Sequence, residues 1–308
     1  MKLLNCRVCK CGESMSLGQI SDSDVFAGQA VNSSISGGEL WLCRNCGSMF
    51  RHPTLSLDEY ISLYEKLPAT LWAGQEGNRN DFSLIYEYLK DHTGGDILDI
   101  GCYSGDFLAG LPDGFRKYGL EPSYMASQVA GSRGIEVLGK TLDELHSRAL
   151  FDVIVAIDVI EHVLDVEEFV NQILPHLKDN GLLIISTGDP QCFAWKRVFK
   201  SKYWYCLFSE HLTFPSFRFF IDYSVRNGLC PPKRIRYRYL KLGVVERIAK
   251  VLKVLPVILP PFLYRALRRS YRFLKGDFHL NSPGPPTSLI GAFTDHHLVI
   301  IKNGGPVP

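Results

Sequence analysis

The chain has 308 residues, 46% of them hydrophobic and 21% charged, with a formal net charge of +2. These values match a soluble globular protein with enough length for a real core, as one large domain or two smaller ones, and the near-neutral charge offers no global attraction for nucleic acid. No uninterrupted apolar stretch is long enough for a bilayer, and Met1-Lys2-Leu3-Leu4 runs into cysteines without a secretory leader pattern.

Nine cysteines are present, an odd number. Two pairs stand out: Cys6-Arg-Val-Cys9 and Cys43-Arg-Asn-Cys46-Gly47. With no leader in view, they favour metal binding in a reducing cytoplasm over a disulfide framework. Each two-residue spacer lets one tight turn present two sulfurs, and four thiolates satisfy tetrahedral Zn²⁺. Residues 1–53 therefore read as a zinc-binding ribbon with Cys6, Cys9, Cys43 and Cys46 as ligands. Cys11 is a spare that could compete with Cys9. A catalytic zinc is disfavoured, because four sulfurs leave no open position. The polar stretch Ser14 to Gly38 between the pairs reads as a hairpin or a loop.

Residues 54–92 read as a helical linker or lid. Leu55 to Lys66 has helical spacing, Ser56 and Glu59 form a capping box, and Pro68 ends the helix. Leu71 to Asn80 reads as a loop and Asp81 to Leu89 as a second helix. Gly94-Gly95 breaks the chain before the first core strand.

Asp96 to Phe107 runs from an apolar strand into a glycine turn and a helix start. Ile97, Leu98 and Ile100 suit a strand buried on both faces. Asp99 lies at its carboxyl end, where open α/β sheets bind ligands. Gly101 and Gly105 permit a tight turn and close backbone approach. The dinucleotide fingerprint is not met, and Asp106 at the helix start would repel a pyrophosphate. A nucleoside-like ligand without phosphates fits better. Phe115 to Leu120 is a second strand, ending at Glu121, about twenty residues past Gly101, where such folds place an acid for ribose hydroxyls. Gly134 to Leu138 is a short third strand. Val153 to Ile157 is a fourth, with Asp158 at its carboxyl end, and Glu167 to Leu177 is a helix broken by Pro175. Lys178 to Gly181 is a turn, and Leu182 to Ser186 is a fifth strand.

Asp99-Ile-Gly101-Cys102-Tyr103-Ser104-Gly105 resembles motif I of the class I S-adenosylmethionine-dependent methyltransferases, usually D-x-G-C-G-x-G. Tyr103 stands where that family has glycine. Phe151 to Val163 resembles the family's FDVVxxxxVLEHV pattern, and Lys178 to Ser186 its L-K-P-G-G-x-L-x-I-S segment. The resemblance covers about Asp96 to Thr187, in order. It implies an α/β, Rossmann-like class I methyltransferase fold with a seven-stranded, mostly parallel sheet, its core at 93–230, behind the small zinc ribbon. It also implies S-adenosylmethionine as cofactor. Asp99, Gly101, Cys102 and Gly105 would hold the methionine end, and Glu121 with Pro122 the ribose. Thr141 and Leu142 would pass the adenine, and Asp158 would lie near the sulfur. His162 reads as a helix-start residue beside the site.

Cys192 to Phe220 is rich in aromatics. Within it, Ser209 to Phe214 resembles the E-H-x-x-F-F segment of a methyltransferase group with sugar- and small-molecule-modifying members. A helix from about Ser216 to Asn227, ended by Gly228, continues it. His211 is the leading general-base candidate, with Glu210 beside it. The other reading of His211 is a loop anchor. Sugar C-methyltransferases resemble this chain in both the zinc segment and the Glu-His pair. They carry a Tyr/His/Ser-rich stretch that Leu71 to Asn80 lacks, which disfavours carbon methylation. The expected acceptor is a small molecule or glycan, foremost a sugar hydroxyl of cell-envelope polysaccharide or lipid-linked glycan. An RNA methyltransferase and a non-catalytic binding protein on the same fold are the competing readings, with nucleic acid the less favoured partner.

From Lys233 to Lys275 many Lys and Arg face a single acid, Glu246. Residues 231–290 read as a basic amphipathic insertion, and Pro256, Pro260 and Pro261 argue against a membrane span. Segment 244–275 could touch an anionic membrane face, hold an anionic acceptor, or pack on the core or a second subunit, as in a homodimer. The expected location is cytoplasmic, with a peripheral position at the inner membrane face left open. Asp295 to Lys302 is a last strand within 291–308.

Overall fold

The structure, a computed structural model, describes residues 4–64, 79–254 and 290–304, without the side chains of Leu57 and 252–254. The N-terminal part forms β1 (Ser14–Gln19), β2 (Ser23–Phe26), β3 (Gln29–Ile35), β4 (Glu39–Cys43) and β5 (Met49–His52). Strands β2 and β3 are an antiparallel hairpin closed by Ala27 and Gly28, both left-handed at φ 47° and 81°, the backbone that a two-residue hairpin turn requires. The polar stretch between the cysteine pairs is thus strand and hairpin rather than open loop.

Helix α1 (Leu57–Tyr64) carries the expected capping box. Ser56 N donates to Glu59 Oε2 at 2.7 Å, and Glu59 N donates to Ser56 Oγ at 3.4 Å. The remaining positions expected to extend that helix, with Pro68, lie outside the described residues, as do residues 71–78 of the expected loop. Helix α2 (Asn80–Leu89) buries Ile85 and Leu89.

The core then runs β6 (Gly95–Ile100), α3 (Asp106–Ala109), β7 (Phe115–Leu120), α4 (Tyr124–Ser132), β8 (Glu136–Gly139), β9 (Phe151–Ile157), α5 (Val166–Ile173) and β10 (Leu177–Gly188). After it come β11 (Thr213–Phe214), α6 (Phe217–Arg226), β12 (Lys233–Tyr237), α7 (Val244–Val254) and β13 (His296–Lys302). Seven strands form the main sheet in the order β12-β13-β10-β9-β6-β7-β8, with β13 antiparallel to both neighbours and the remaining pairs parallel. This is the seven-stranded, mostly parallel Rossmann-like sheet that the resemblance implies. Its central strands are apolar on both faces because helices cover both: Ile97, Leu98, Val153, Ile154, Val155, Leu183 and Ile184 are all fully enclosed.

Two boundaries differ from the sequence reading. The turn at Lys178 to Gly181 is an irregular excursion inside β10, where the register with β9 breaks between Leu177 and Leu182 and Asn180 sits at φ 64°. The stretch from residue 231, expected to open an insertion, begins as β12 in the main sheet. Ile235 and Tyr237 pack into the core, while Arg234 and Arg236 pair with buried Asp189 at 2.6 and 3.0 Å, so the strand's basic side chains do not prevent its incorporation. Of segment 244–275 only α7 is described. It leaves Val244, Val245 and Ile248 exposed and buries Ala249. Arg265, Arg268 and the rest of the basic run lie outside the described residues. Among the described residues no helix is long and apolar enough to cross a membrane.

The N-terminal part is stitched to the core. Its sheet has the order β1-β4-β5-β11, so β11, from the aromatic segment that follows the fifth core strand of the chain, supplies an edge strand. Phe214 of β11 is fully buried against Trp195 and Tyr205. Phe214→Ala is expected to cost about 3–5 kcal/mol and to weaken ribbon and core in a single transition. Urea unfolding followed separately by ribbon and core probes checks both expectations.

Candidate active site

The parallel strands bring their carboxyl ends to one rim, since Ile100 pairs with Leu120 and Ala156, and Ile157 with Ser186. The glycine turn leaves that rim. Gly101 N and Cys102 N both donate to Leu120 O at 2.8 and 3.0 Å, and Gly105 N donates to Cys102 O at 2.8 Å. Gly101 sits at φ 72°, and a Cβ there would lie 2.8 Å from Val159 Cγ2. Gly105 sits at φ 79°, and a Cβ there would lie 2.1 Å from Ile135 Cδ1. Tyr103 is also left-handed, at φ 48°. That explains why glycine is usual at this position, and a tyrosine there costs about 1–2 kcal/mol. The Cys102 thiol is packed in the core under Gly119, so Cys102 serves the turn through its two backbone hydrogen bonds and not through its sulfur.

Glu121 braces the turn. Its Oε2 accepts from Tyr103 N at 2.9 Å and its Oε1 from Ser123 N at 2.7 Å. Each oxygen keeps a second lone pair. Burial pushes the Glu121 carboxyl above its usual range, against those two hydrogen bonds. Burial, with the Glu121 charge added, pushes Asp99 well above its own. Pro122 and Thr141 are exposed and Leu142 is half-buried, on the loops that follow β7 and β8.

Asp158 is left-handed at φ 53°. Its Oδ2 accepts from Arg79 Nη2 at 2.7 Å and from Tyr239 OH at 3.1 Å, while its Oδ1 is buried with no hydrogen-bond partner among the described residues. Arg79 also clamps buried Asp81 and stacks on Phe82 and Tyr239 at 4.8 and 5.0 Å. Burial pushes Asp158 up to about 6 even though Arg79 pulls it down.

The aromatic segment closes the other side. Fully buried Glu161 accepts from Thr187 Oγ1 at 3.0 Å and from the Tyr205 hydroxyl. His211 Nδ1 donates to Tyr205 O at 2.9 Å, and its Nε2 has no hydrogen-bond partner among the described residues. His162 Nδ1 donates to Glu210 O at 3.1 Å and lies 2.8 Å from Tyr64 OH. The two imidazoles meet edge to face with centroids 5.0 Å apart. Burial, with His162 second, holds His211 well below the usual histidine range. Ligand-capable atoms of Glu161, His162 and His211 lie within 4.8 Å of one another. Glu210 is placed differently from its neighbour. Its Oε2 accepts from Ala27 N at 3.1 Å and so anchors the β2–β3 turn.

The four predicted sulfur ligands come together. Cys6 and Cys46 Sγ are 3.9 Å apart, Cys9 and Cys43 Sγ are 3.6 Å apart, and all four lie within 4.8 Å. Tetrahedral zinc with bonds of ~2.3 Å would separate its sulfurs by about 3.8 Å, so this donor set fits. Lys10 and Gly47, each following the second cysteine of its pair, are left-handed at φ 63° and 73°. The Cys11 sulfur is not in the set.

Sequence reasoning missed Arg79, Tyr205 and Tyr239. Arg79 gave no local signal, because what places it is an isolated antiparallel bridge with Leu240, far along the chain. Tyr205 was one of many aromatics in its segment, and nothing local marked its hydroxyl.

Residues 76–229, half of the chain, match the family described as "Methyltransferase domain". The Rickettsia felis protein named "Ubiquinone biosynthesis O-methyltransferase" is 36% identical over 110 residues, 33% of this chain and 45% of that protein. The protein of that name from Bradyrhizobium diazoefficiens is 34% identical over 100 residues, 30% of this chain and 39% of its own. The matched stretch thus spans less than half the length of these relatives. Among solved structures, the N-methyltransferase NodS from Bradyrhizobium japonicum WM9, in complex with S-adenosyl-L-homocysteine, is similar over 80% of this chain and 97% of its own, with TM-score 0.46 and 13% identity. A Thermotoga maritima S-adenosylmethionine-dependent methyltransferase, described as a possible histamine N-methyltransferase, covers 68% of this chain and 83% of its own, with TM-score 0.42 and 18% identity. The chain belongs to the methyltransferase domain family, and its sheet is that of the class I S-adenosylmethionine-dependent fold.

Asp99 and Glu121 hold protons more tightly than ordinary carboxyls. A cationic ligand favours their ionised forms. S-adenosylmethionine binding is therefore expected to release protons and to tighten as pH rises through this raised carboxyl range. Calorimetry in buffers of different ionisation enthalpy reads that release directly, and Glu121→Gln should reduce it.

Proposed function

We propose that the chain transfers the methyl group of S-adenosylmethionine to a hydroxyl of a small-molecule acceptor, with His211 as general base and a structural zinc on Cys6, Cys9, Cys43 and Cys46. The donor supplies an activated methyl group. In this reading the turn from Asp99 to Gly105 holds its methionine end and Glu121 the ribose. The loop at Thr141 and Leu142 passes the adenine, and Asp158, fixed by Arg79, faces the reacting end. The acceptor oxygen forms the new bond to carbon as the sulfur–methyl bond breaks, and its proton passes to His211.

The observation that carries the reading is the state of His211. Burial keeps the ring neutral, and donation from Nδ1 to Tyr205 O leaves the Nε2 lone pair as the acceptor. Glu210, expected beside it in catalysis, supports it by holding the β2–β3 turn against the same segment. The shared name of the two relatives supports an oxygen acceptor on a small molecule. A sugar or lipid-linked glycan hydroxyl is a narrower form of the same reading, carried by the Glu210-His211 resemblance. The RNA reading draws on the zinc ribbon and on the basic C-terminal segment, most of which lies outside the described residues.

A labelled-methyl assay against ubiquinone-pathway precursors, nucleotide sugars, lipid-linked glycans and RNA tests the acceptor. Label on a small-molecule oxygen is expected, and label on RNA alone would overturn the reading. His211→Gln should lower kcat by about 10²-fold or more with little change in S-adenosylmethionine affinity. Because the His211 ring takes up a proton only well below the usual range, the wild-type rate at saturating S-adenosylmethionine should hold from pH 8 to 7 and fall only as Asp158 takes up its proton at about 6. A rate that already falls between pH 8 and 7 would count against His211. For the metal, elemental analysis should find one zinc per chain, lost in Cys43→Ser.

A further inference from the structure

A cavity lies away from the glycine turn, where the cysteine knuckle meets the start of α6 and the face of β12. Its volume is about 450 Å³, within the range of small-molecule sites. Four basic side chains line it, Arg44, Lys196, Arg218 and Arg234, with no carboxylate, and two of the proposed zinc ligands, Cys43 and Cys46, form part of one wall. We propose that this cavity binds the phosphate or diphosphate group of a small ligand whose apolar part lies on Phe217 and Ile221.

The charges there are incompletely matched. Arg234 Nη2 is 2.6 Å from Asp189 Oδ2, while its Nε is buried without a hydrogen-bond partner among the described residues. Arg218 meets only Asp222, at 3.6 Å, with both side chains exposed. Lys196 donates to the neutral Gln191 side chain. Arg44 has no side-chain partner among the described residues. Burial, with Arg197 beside it, pulls Lys196 below its usual range, and burial does the same to Arg234 despite Asp189. An anion would relieve both.

The backbone adds to this. Helix α6 has ten residues, and its cap Ser216 is locked by donating to Cys46 O and accepting from Phe219 N. Phe217 and Arg218, whose N–H groups have no intrahelical acceptor, line the cavity. Forked guanidinium groups, a lysine and a helix start together suit phosphate oxygens. Phe217, under the Arg234 guanidinium at 5.2 Å, and Ile221 give the cavity its apolar wall.

The inference does not rest on the acceptor proposed above. The test is calorimetry on the full, zinc-loaded chain with inorganic pyrophosphate, uridine diphosphate and dodecyl phosphate below its micelle concentration. Pyrophosphate should bind, and the R44E/R218E variant should bind it about tenfold or more weakly, with S-adenosylhomocysteine affinity and zinc content unchanged. Tighter binding of dodecyl phosphate names a phosphorylated lipid as the source, and tighter binding of uridine diphosphate a nucleotide. Absence of pyrophosphate binding, or equal binding by the variant, overturns the proposal. Loss of zinc with no change in pyrophosphate affinity also overturns it, because the charges then serve the thiolates. If the double variant loses S-adenosylhomocysteine binding as well, K196M decides: weaker pyrophosphate binding supports the site and unchanged binding overturns it.

Discussion

The site depends on one buried carboxylate. Glu161 has no exposed surface, and an unsatisfied acceptor there would cost about 1–3 kcal/mol or more. It is satisfied from two directions, by Thr187 at the end of β10 and by Tyr205 in the aromatic segment. Its backbone oxygen also accepts from Leu212 N at 2.7 Å. These bonds hold the aromatic segment over the rim of the sheet. Once Tyr205 is fixed, its carbonyl fixes the tautomer of His211, and Thr213 follows by donating to Ile160 O at 3.0 Å.

The glycine-turn side of the site is arranged by strain held in check. Tyr103 and Asp158 both adopt left-handed backbone, which is costly for residues with a side chain. Each is held by a group from a distant part of the chain. Glu121 accepts from the Tyr103 amide, and Arg79 and Tyr239 grip the Asp158 carboxylate. Burial raises both carboxyls beside the turn, and the Glu121 charge raises Asp99 further, so positive charge placed near them is favoured. In the proposed reading, the sulfonium and ammonium of S-adenosylmethionine supply that charge.

The N-terminal ribbon is more than an appendage. Strand β11 is an edge strand of its sheet, Glu210 grips its hairpin, and Ser216 binds the carbonyl of a cysteine in its knuckle. The segment that carries His211 is therefore held between two sheets, and order in the ribbon is transmitted to the acceptor side through hydrogen bonds of main chain and side chain.

The sequence by itself determined the parallel sheet, the glycine turn, the acid after β7 and the four-sulfur cluster. Each of these is a local pattern: apolar runs with an acid at the end, glycines at fixed spacing, and C-x-x-C turns that present paired thiols wherever they fold. The helix over Phe217–Arg226 was equally legible, because Ser216 and Gly228 mark its ends. What only the tertiary structure decided is how those pieces meet. Arg79 reaches Asp158 across 79 positions, and Tyr205 reaches Glu161 across 44. The basic strand β12 joins the main sheet because buried Asp189 takes up two of its arginines. Such pairings are chosen by the need to satisfy buried charge, and that need arises only once the chain has closed around it.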